Sequence, residues 1–263
     1  MRPISDMDGE TARRLVGIVF DVDDTLTRDG VLEREAFEAL WAVRSKGLPA
    51  IAVTGRPLGW AEVFAGTWPV SMAVGENGAG WFWRSGRSVK GGFFDPPVAR
   101  AAQQAMLARI RARVAAVLPD LREAGDAGLR RCDAAFDVGE AETVSTVDVA
   151  TLVRIIEAEG ARSVVSTVHA HAMPGGWDKA IGAARAMSEV LGVSPEVAQR
   201  SFLFVGDSPN DGPAFAFFED SAGVSNVHAH VAGLPVPPRW VAVQDRGRGF
   251  AEIVDAWLSR RGA

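Results

Sequence analysis

Residues 15–27, LVGIVFDVDDTLT, constrain this chain more than any other stretch. An apolar run rich in β-branched residues reads as a buried strand. This one breaks off into three carboxylates, Asp21, Asp23 and Asp24, and the hydroxyl of Thr25. In an open parallel sheet, ligands collect beyond the carboxyl ends of the strands. Carboxylates crowded there suffer desolvation and mutual repulsion unless a cation offsets them. Asp21 and Asp23, two apart, can offer one side chain and one backbone carbonyl to a hard ion such as magnesium.

The residues that follow place this strand in a layered α/β architecture. Over 33–46, Phe37, Leu40, Trp41 and Val43 predict an amphipathic helix stopped by Gly47. A strand over 48–53 then ends in Thr54-Gly55-Arg56-Pro57. A strand–helix–strand unit of this length makes the two strands parallel and brings Asp21 and Thr54 to one edge. A third strand over 70–74 leads into Glu76-Asn77-Gly78, a hairpin turn signal, with 79–83 as the return strand. The pattern next becomes helix over 98–118, strand over 129–138, helix over 146–160 and strand over 163–173. Gly91-Gly92 and Pro174-Gly175-Gly176 flank this block and read as hinges.

Beyond it, Trp177-Asp178-Lys179 opens a helix, and Ser194-Pro195-Glu196 caps another. A strand over 201–205 ends in Gly206-Asp207-Ser208-Pro209-Asn210-Asp211. Short strands near 222–224 and 240–243 and a helix over 250–260 complete the layer. The expected fold is therefore α/β: a Rossmann-like parallel-sheet core from 1–81 and 175–263, with a smaller α/β cap domain inserted at 82–174. Residues 1–14 read as a loosely packed polar leader without an apolar signal core.

Composition narrows the function. A formal net charge of −5 argues against general attraction to nucleic acid, although a local site can still be cationic. The single cysteine, Cys132, excludes an internal disulfide and a multi-cysteine zinc site. No apolar run approaches the length that spans a membrane, so no membrane partner is expected and the cytoplasm is the default compartment.

Three strands thus end in DVDDT, TGR and GDSPND, and one helix begins with a lysine. Each motif alone is weak, but in this order they supply what phosphoryl transfer through an enzyme carboxylate needs. A nucleophilic carboxylate approaching a dianionic phosphate needs a metal ion, a hydroxyl and an ammonium to offset charge. A second carboxylate must protonate the leaving alkoxide and later take a proton from water.

On these residues the chain resembles the haloacid dehalogenase (HAD) superfamily, in its Cof-like subgroup with a large α/β cap, and within that the sugar-phosphate phosphatases. The likeness spans nearly the whole chain. It implies Asp21 as nucleophile and magnesium ligand, and Asp23 as general acid/base with its carbonyl on the metal. It implies Thr54, Gly55, Lys179 and Asn210 as phosphate-binding groups, Asp207 as a further magnesium ligand, and Asp211 and Arg56 in support. Asp24 departs from the pattern, since glycine is common there. The implied activity is a Mg2+-dependent phosphatase acting on a small phosphorylated metabolite, a sugar phosphate, through an aspartyl phosphate. Gly176-Trp177-Asp178-Lys179 also resembles the eukaryotic phosphomannomutases, which keeps a phosphomutase as the alternative. A non-catalytic phospho-ligand-binding protein is a third reading, weakened because the motif set is intact.

Weaker signals carry modest expectations. His171, and Asn77 in the turn beside the cleft, are candidates for substrate contact. His169 and His171 otherwise read as a polar cap face, Glu76-Asn77 as a turn former, Trp81 and Trp83 as packing, and Cys132 as half-buried. Arg84, Arg87 and Lys90 read as a solvated basic turn.

Overall fold

The computed structural model describes residues 1–141, 143–166 and 168–262. In chain order the first elements are β1 (Arg2–Pro3), α1 (Gly9–Arg14), β2 (Gly17–Phe20), β3 (Thr27–Arg28), β4 (Val31–Leu32), α2 (Arg34–Ser45), β5 (Ala50–Val53), α3 (Leu58–Thr67) and β6 (Met72–Gly75). The hairpin β7 (Gly80–Ser85) and β8 (Ser88–Phe93) follows. Then come α4 (Pro97–Val117), β9 (Ala134–Asp137), α5 (Thr146–Ala158), β10 (Arg162–Val165) and β11 (His169–Met173). The chain closes with α6 (Lys179–Leu191), α7 (Pro195–Ser201), β12 (Phe202–Gly206), α8 (Gly212–Phe217), β13 (Asp220–Gly223), β14 (Trp240–Val241) and α9 (Arg246–Arg261).

Nine strands form one sheet in the order β1-β14-β13-β12-β2-β5-β6-β7-β8. It is parallel from β1 through β6, and β7 and β8 continue it antiparallel. The central strands are buried on both faces, which is why they read as unbroken apolar runs. Along β2, Ile18 and Phe20 enter one core with α2 and α9, while Val19 enters the other with α6 and α8. A second, antiparallel sheet of order β10-β11-β9 packs against α4 and α5 around its own apolar cluster, which includes Leu107, Ile110, Phe136, Leu152 and Ile156. The α/β class, with its large parallel sheet, is as expected. Among the described residues no helix is long and apolar enough to cross a membrane.

Several local expectations are corrected. Gly91 and Gly92 are not a hinge but lie inside β8, paired with Phe82 and Trp81. A Cβ at Gly91 would sit 2.6 Å from the Phe82 ring, and one at Gly92 would sit 2.4 Å from the Trp81 indole nitrogen, so the glycines let these rings lie across the strand. The large sheet therefore runs on to Phe93, past position 82 where the sequence reading began the smaller layer. The expected strand over 163–173 is a hairpin of β10 and β11; its turn is held by the Ser166 hydroxyl, which accepts from the amide of His169, and Thr167 lies outside the described residues. The expected strand over 129–138 begins only at Ala134. Residues 1–14 are not loose, because β1 pairs with β14, Ile4 and Met7 are buried, and the Trp257 indole donates to Ala12 O. Helix α3 was not anticipated.

One close approach sets where α6 lies. A Cβ on Gly182 of α6 would be 2.3 Å from Gly78 Cα, and one on Gly78 would be 2.3 Å from Asp178 O. Gly78 also has φ +111°, open chiefly to glycine. Gly182→Ala should therefore destabilise the fold by about 1–3 kcal/mol through overpacking. The control Gly176→Ala, where a Cβ would meet nothing within 4 Å, should leave thermal unfolding unchanged. Equal melting temperatures for the two variants would contradict this contact.

Candidate active site

Pairing of β12, β2 and β5 aligns Phe20 with Val205 and Ala52. The next residues along each strand bring Asp21, Asp207 and Thr54 to the same sheet edge. Lys179, the first residue of α6, enters from one side, its helix capped by the Asp178 carboxylate accepting from Ala180 N and Ile181 N at 2.8 and 2.9 Å. Its ammonium, 1% exposed, donates to Asp21 Oδ1 and Asp211 Oδ1 at 2.7 Å each, and to Asn210 Oδ1 at 3.1 Å.

Asp207 accepts from Thr25 Oγ1 at 3.0 Å and from Asn226 Nδ2 at 2.9 Å. Asp211 uses its other oxygen to accept from the amides of Asp207 and Ser208, which folds the 207–211 loop onto itself. Carboxylate oxygens of Asp21, Asp207 and Asp211 all lie within 4.8 Å of one another, and all three residues are buried. Three carboxylates thus face one ammonium. Burial, then the charges of Asp211 and Asp21, push Asp207 up to about 9. Burial pushes Asp21 up to about 7 against the pull of Lys179. Burial alone would lower Lys179, but Asp21 and Asp211 hold it above its usual range. This all-oxygen, over-charged set fits a hard divalent cation.

Asp23 points elsewhere. It pairs with Arg56, whose Nε lies 2.9 and 3.0 Å from its two oxygens and whose Nη2 lies 2.5 Å from Oδ1. Its side chain is 44% exposed, so it stands at the mouth of the site rather than in the buried cluster. Thr54 Oγ1 is 3.5 Å from Asp23 Oδ2 and accepts from Arg56 N at 3.0 Å. Asp24 adopts φ +54°, a left-handed conformation that favours glycine, and pairs with Arg246 at 2.8 Å.

Asn77 packs against Gly55: a Cβ there would be 3.2 Å from Asn77 Oδ1, an oxygen buried without a hydrogen-bond partner among the described residues. His171 is not on an open polar face. It is buried, with Nδ1 3.0 Å from Asp133, which also takes Arg130 at 2.9 Å. Arg130 in turn donates to Gly55 O at 3.2 Å, so the side-chain contacts of His171 reach the Thr54-Gly55-Arg56 loop through Asp133 and Arg130. Burial raises Asp133, but Arg130 and His171 outweigh it and hold the carboxyl below its usual range. Cys132 is fully buried rather than half-buried, and burial pushes its thiol up to about 12.

Sequence reasoning missed Asn226, Arg130 and Arg246. Asn226 follows β13, another parallel strand ending at this edge, and that position was the available signal.

Solved structures share this fold. A Thermoplasma acidophilum protein superposes with TM-score 0.71 at 22% identity, covering 93% of this chain and 99% of that one. The sucrose-phosphatase of Synechocystis, solved with sucrose and phosphate, gives 0.66 at 14%, covering 93% and 98%. A haloacid dehalogenase-like hydrolase from Bacteroides thetaiotaomicron gives 0.61 at 15%, covering 92% and 98%. No family model matches the chain, and no curated protein matches it. The chain shares the fold of these structures, the haloacid dehalogenase-like fold.

The raised carboxyls make stability depend on pH in chelator-treated protein. Folded Asp21 and Asp207 retain protons up to about 7 and about 9, whereas the reference value for an aspartate is 3.8. Between these limits the unfolded chain binds fewer protons than the folded one, so stability falls as pH rises. The melting temperature without metal should drop from pH 6 to pH 9, and millimolar Mg2+ should restore it at the alkaline end. A profile flat in pH and unmoved by Mg2+ would contradict the charge balance described.

Proposed function

We propose that the protein is a Mg2+-dependent phosphatase that hydrolyses a small phosphorylated metabolite, a sugar phosphate, through an aspartyl phosphate on Asp21. The observation that carries this reading is the buried Lys179 ammonium joining Asp21 to Asp211 beside Asp207, with Asp23 held apart at the mouth. Lys179 engages Asp21 Oδ1, which leaves Oδ2 to attack phosphorus. The Thr54 hydroxyl, the Gly55 backbone, Lys179 and Asn210 hold the phosphoryl oxygens. The P–O bond to the leaving group breaks as Asp23 passes a proton to the departing alkoxide. Asp23 then takes a proton from the water that attacks the acyl phosphate, releasing phosphate and restoring Asp21.

Asp21, Asp207 and the Asp23 carbonyl would hold the metal ion, supported by Asp211; when bound it supplies charge stabilisation at the phosphoryl oxygens. Arg56 must loosen its grip on Asp23 for proton transfer, and an arriving phosphate competes for that guanidinium. The small layer from 97 to 173 serves as the cap over the site. Asn77, whose Oδ1 has no hydrogen-bond partner among the described residues, is the better placed of the two proposed substrate contacts, since Asp133 occupies His171 Nδ1.

Chelation should abolish release of inorganic phosphate and Mg2+ should restore it; full activity in metal-stripped protein would sink the metal assignment. Asp21→Asn should lose turnover almost completely, because an amide cannot form the acyl phosphate. Asp23→Asn should lose about 10²–10⁴-fold on an alkyl phosphate. On an aryl phosphate it should show a burst of alcohol followed by slow turnover. A uniform loss across leaving groups would remove Asp23 from the acid/base role. Transfer of the phosphoryl group to a second hydroxyl of the substrate, without phosphate release, would favour a mutase.

A further inference from the structure

The turn after β6 joins three parts of the molecule that the chemistry must keep in register. Its backbone holds the phosphate loop: Glu76 N donates to Arg56 O at 2.8 Å, and Asn77 N donates to Thr54 O at 3.0 Å. Its carbonyl holds the approach to Lys179, since the buried Trp177 indole donates to Glu76 O at 3.0 Å. Its side chain holds the small layer. Glu76 Oε1 accepts from Leu58 N at 2.9 Å and Arg131 N at 2.8 Å, and Oε2 accepts from Cys132 N at 2.6 Å and Asp133 N at 2.9 Å.

The carboxylate has no exposure, and four amides fill it. Both Glu76 and Asn77 adopt left-handed φ, +48° and +55°, which two consecutive non-glycine residues take only when their surroundings over-determine them. A second tie lies alongside: Arg130, just before the held amides, reaches Gly55 O.

We propose that Glu76 is a positioning residue for the reaction, holding the phosphate loop, the Lys179 helix and the small layer in one fixed relation. A carboxylate is required because each of its oxygens takes two N–H donors. A carboxamide offers one oxygen and sets its own NH2 against two backbone donors. The proposal builds on the phosphatase reading, but its tests need not share that reading's fate.

Hydrogen exchange on the intact wild-type chain is the first. The amides of 131–133 should be protected to the level of strand amides, whereas exchange as fast as in the exposed turn at 86–87 would overturn the clamp whatever the protein catalyses. Glu76→Gln is the second, read by calorimetric binding of inorganic phosphate and by kcat and KM on p-nitrophenyl phosphate. The expected result is phosphate binding and KM weakened by about 10–100-fold, the scale of a small misplacement, with faster exchange at 131–133 and unchanged exchange in β12. A folded Glu76→Gln protein with wild-type phosphate affinity would reduce Glu76 to a fold stabiliser and overturn the proposal. Should that variant not fold, Arg130→Gln, which severs the tie at Gly55, replaces it and must weaken phosphate binding in the same direction. If wild-type protein binds no phosphate, the phosphatase reading fails while the exchange result still judges the clamp.

Discussion

The buried ammonium of Lys179 is the interaction on which the rest of the site depends. A lysine with 1% exposure cannot stay charged without partners, and Asp21 and Asp211 each approach it to 2.7 Å. Those two carboxylates more than neutralise it, and Asp207, pushed up to about 9, adds a third acid that makes no ion pair among the described residues. The cluster is thus stable only with retained protons or with another positive charge. In the proposed reaction retained protons would disarm Asp21, whereas a cation held by these carboxylates would keep it ionised. The same electrostatics that makes this edge costly to fold suits it to the metal and the phosphate proposed for it.

Two aspartates only two positions apart have different surroundings, which suit the different roles proposed for them. Asp21 turns into the sheet edge, where burial and Lys179 compete over its proton. Asp23 turns out to the mouth, where Arg56 grips it from two nitrogens and the side chain remains partly in water. A nucleophile benefits from a dry site that fixes its oxygen, while a proton shuttle needs access to leaving group and water. The strand ends at Phe20 and the chain turns at Asp23, so the two side chains leave one short segment in different directions, as the proposed roles require. Thr54 lies beside Asp23, its hydroxyl 3.5 Å from that carboxylate and its carbonyl accepting from the Asn77 amide.

The parallel strands and the residues at their ends were legible because burial on both faces produces unbroken apolar runs and the switch to polar residues is abrupt. Asp21 and Thr54 could be placed together from the connection rule alone, whereas Lys179 and Asp207 joined them through the order of the motifs and the resemblance they carry. Helix α3 escaped because its buried Leu58, Ala61, Phe64 and Ala65 are joined by the partly buried Trp60, which blurs any polar stripe. Gly91-Gly92 resembled a hinge because the sequence does not reveal that aromatic rings need the space of two side chains. Arg130 and Asn226 reach the site across long sequence separations, by contacts that no local pattern encodes.

The late start of β9 shows how these levels meet. Residues 131–133 fall inside the strand expected over 129–138, yet their amides are drawn away from any ladder by one side chain from the turn after β6. Buried irregular backbone must find acceptors, and a chain can supply them with water, with its own carbonyls or with a carboxylate. Water would leave this junction deformable, and carbonyls would require a ladder that the two sheets do not share. A buried carboxylate accepts from all three amides and from the first residue of α3 as well, with Asp133 beside it offset by Arg130 and His171. The strained turn at Glu76 and Asn77 is therefore a consequence of the junction rather than a defect within it. In that left-handed conformation the Glu76 carboxylate reaches the amides of 131–133 while Glu76 N and Asn77 N stay on Arg56 O and Thr54 O.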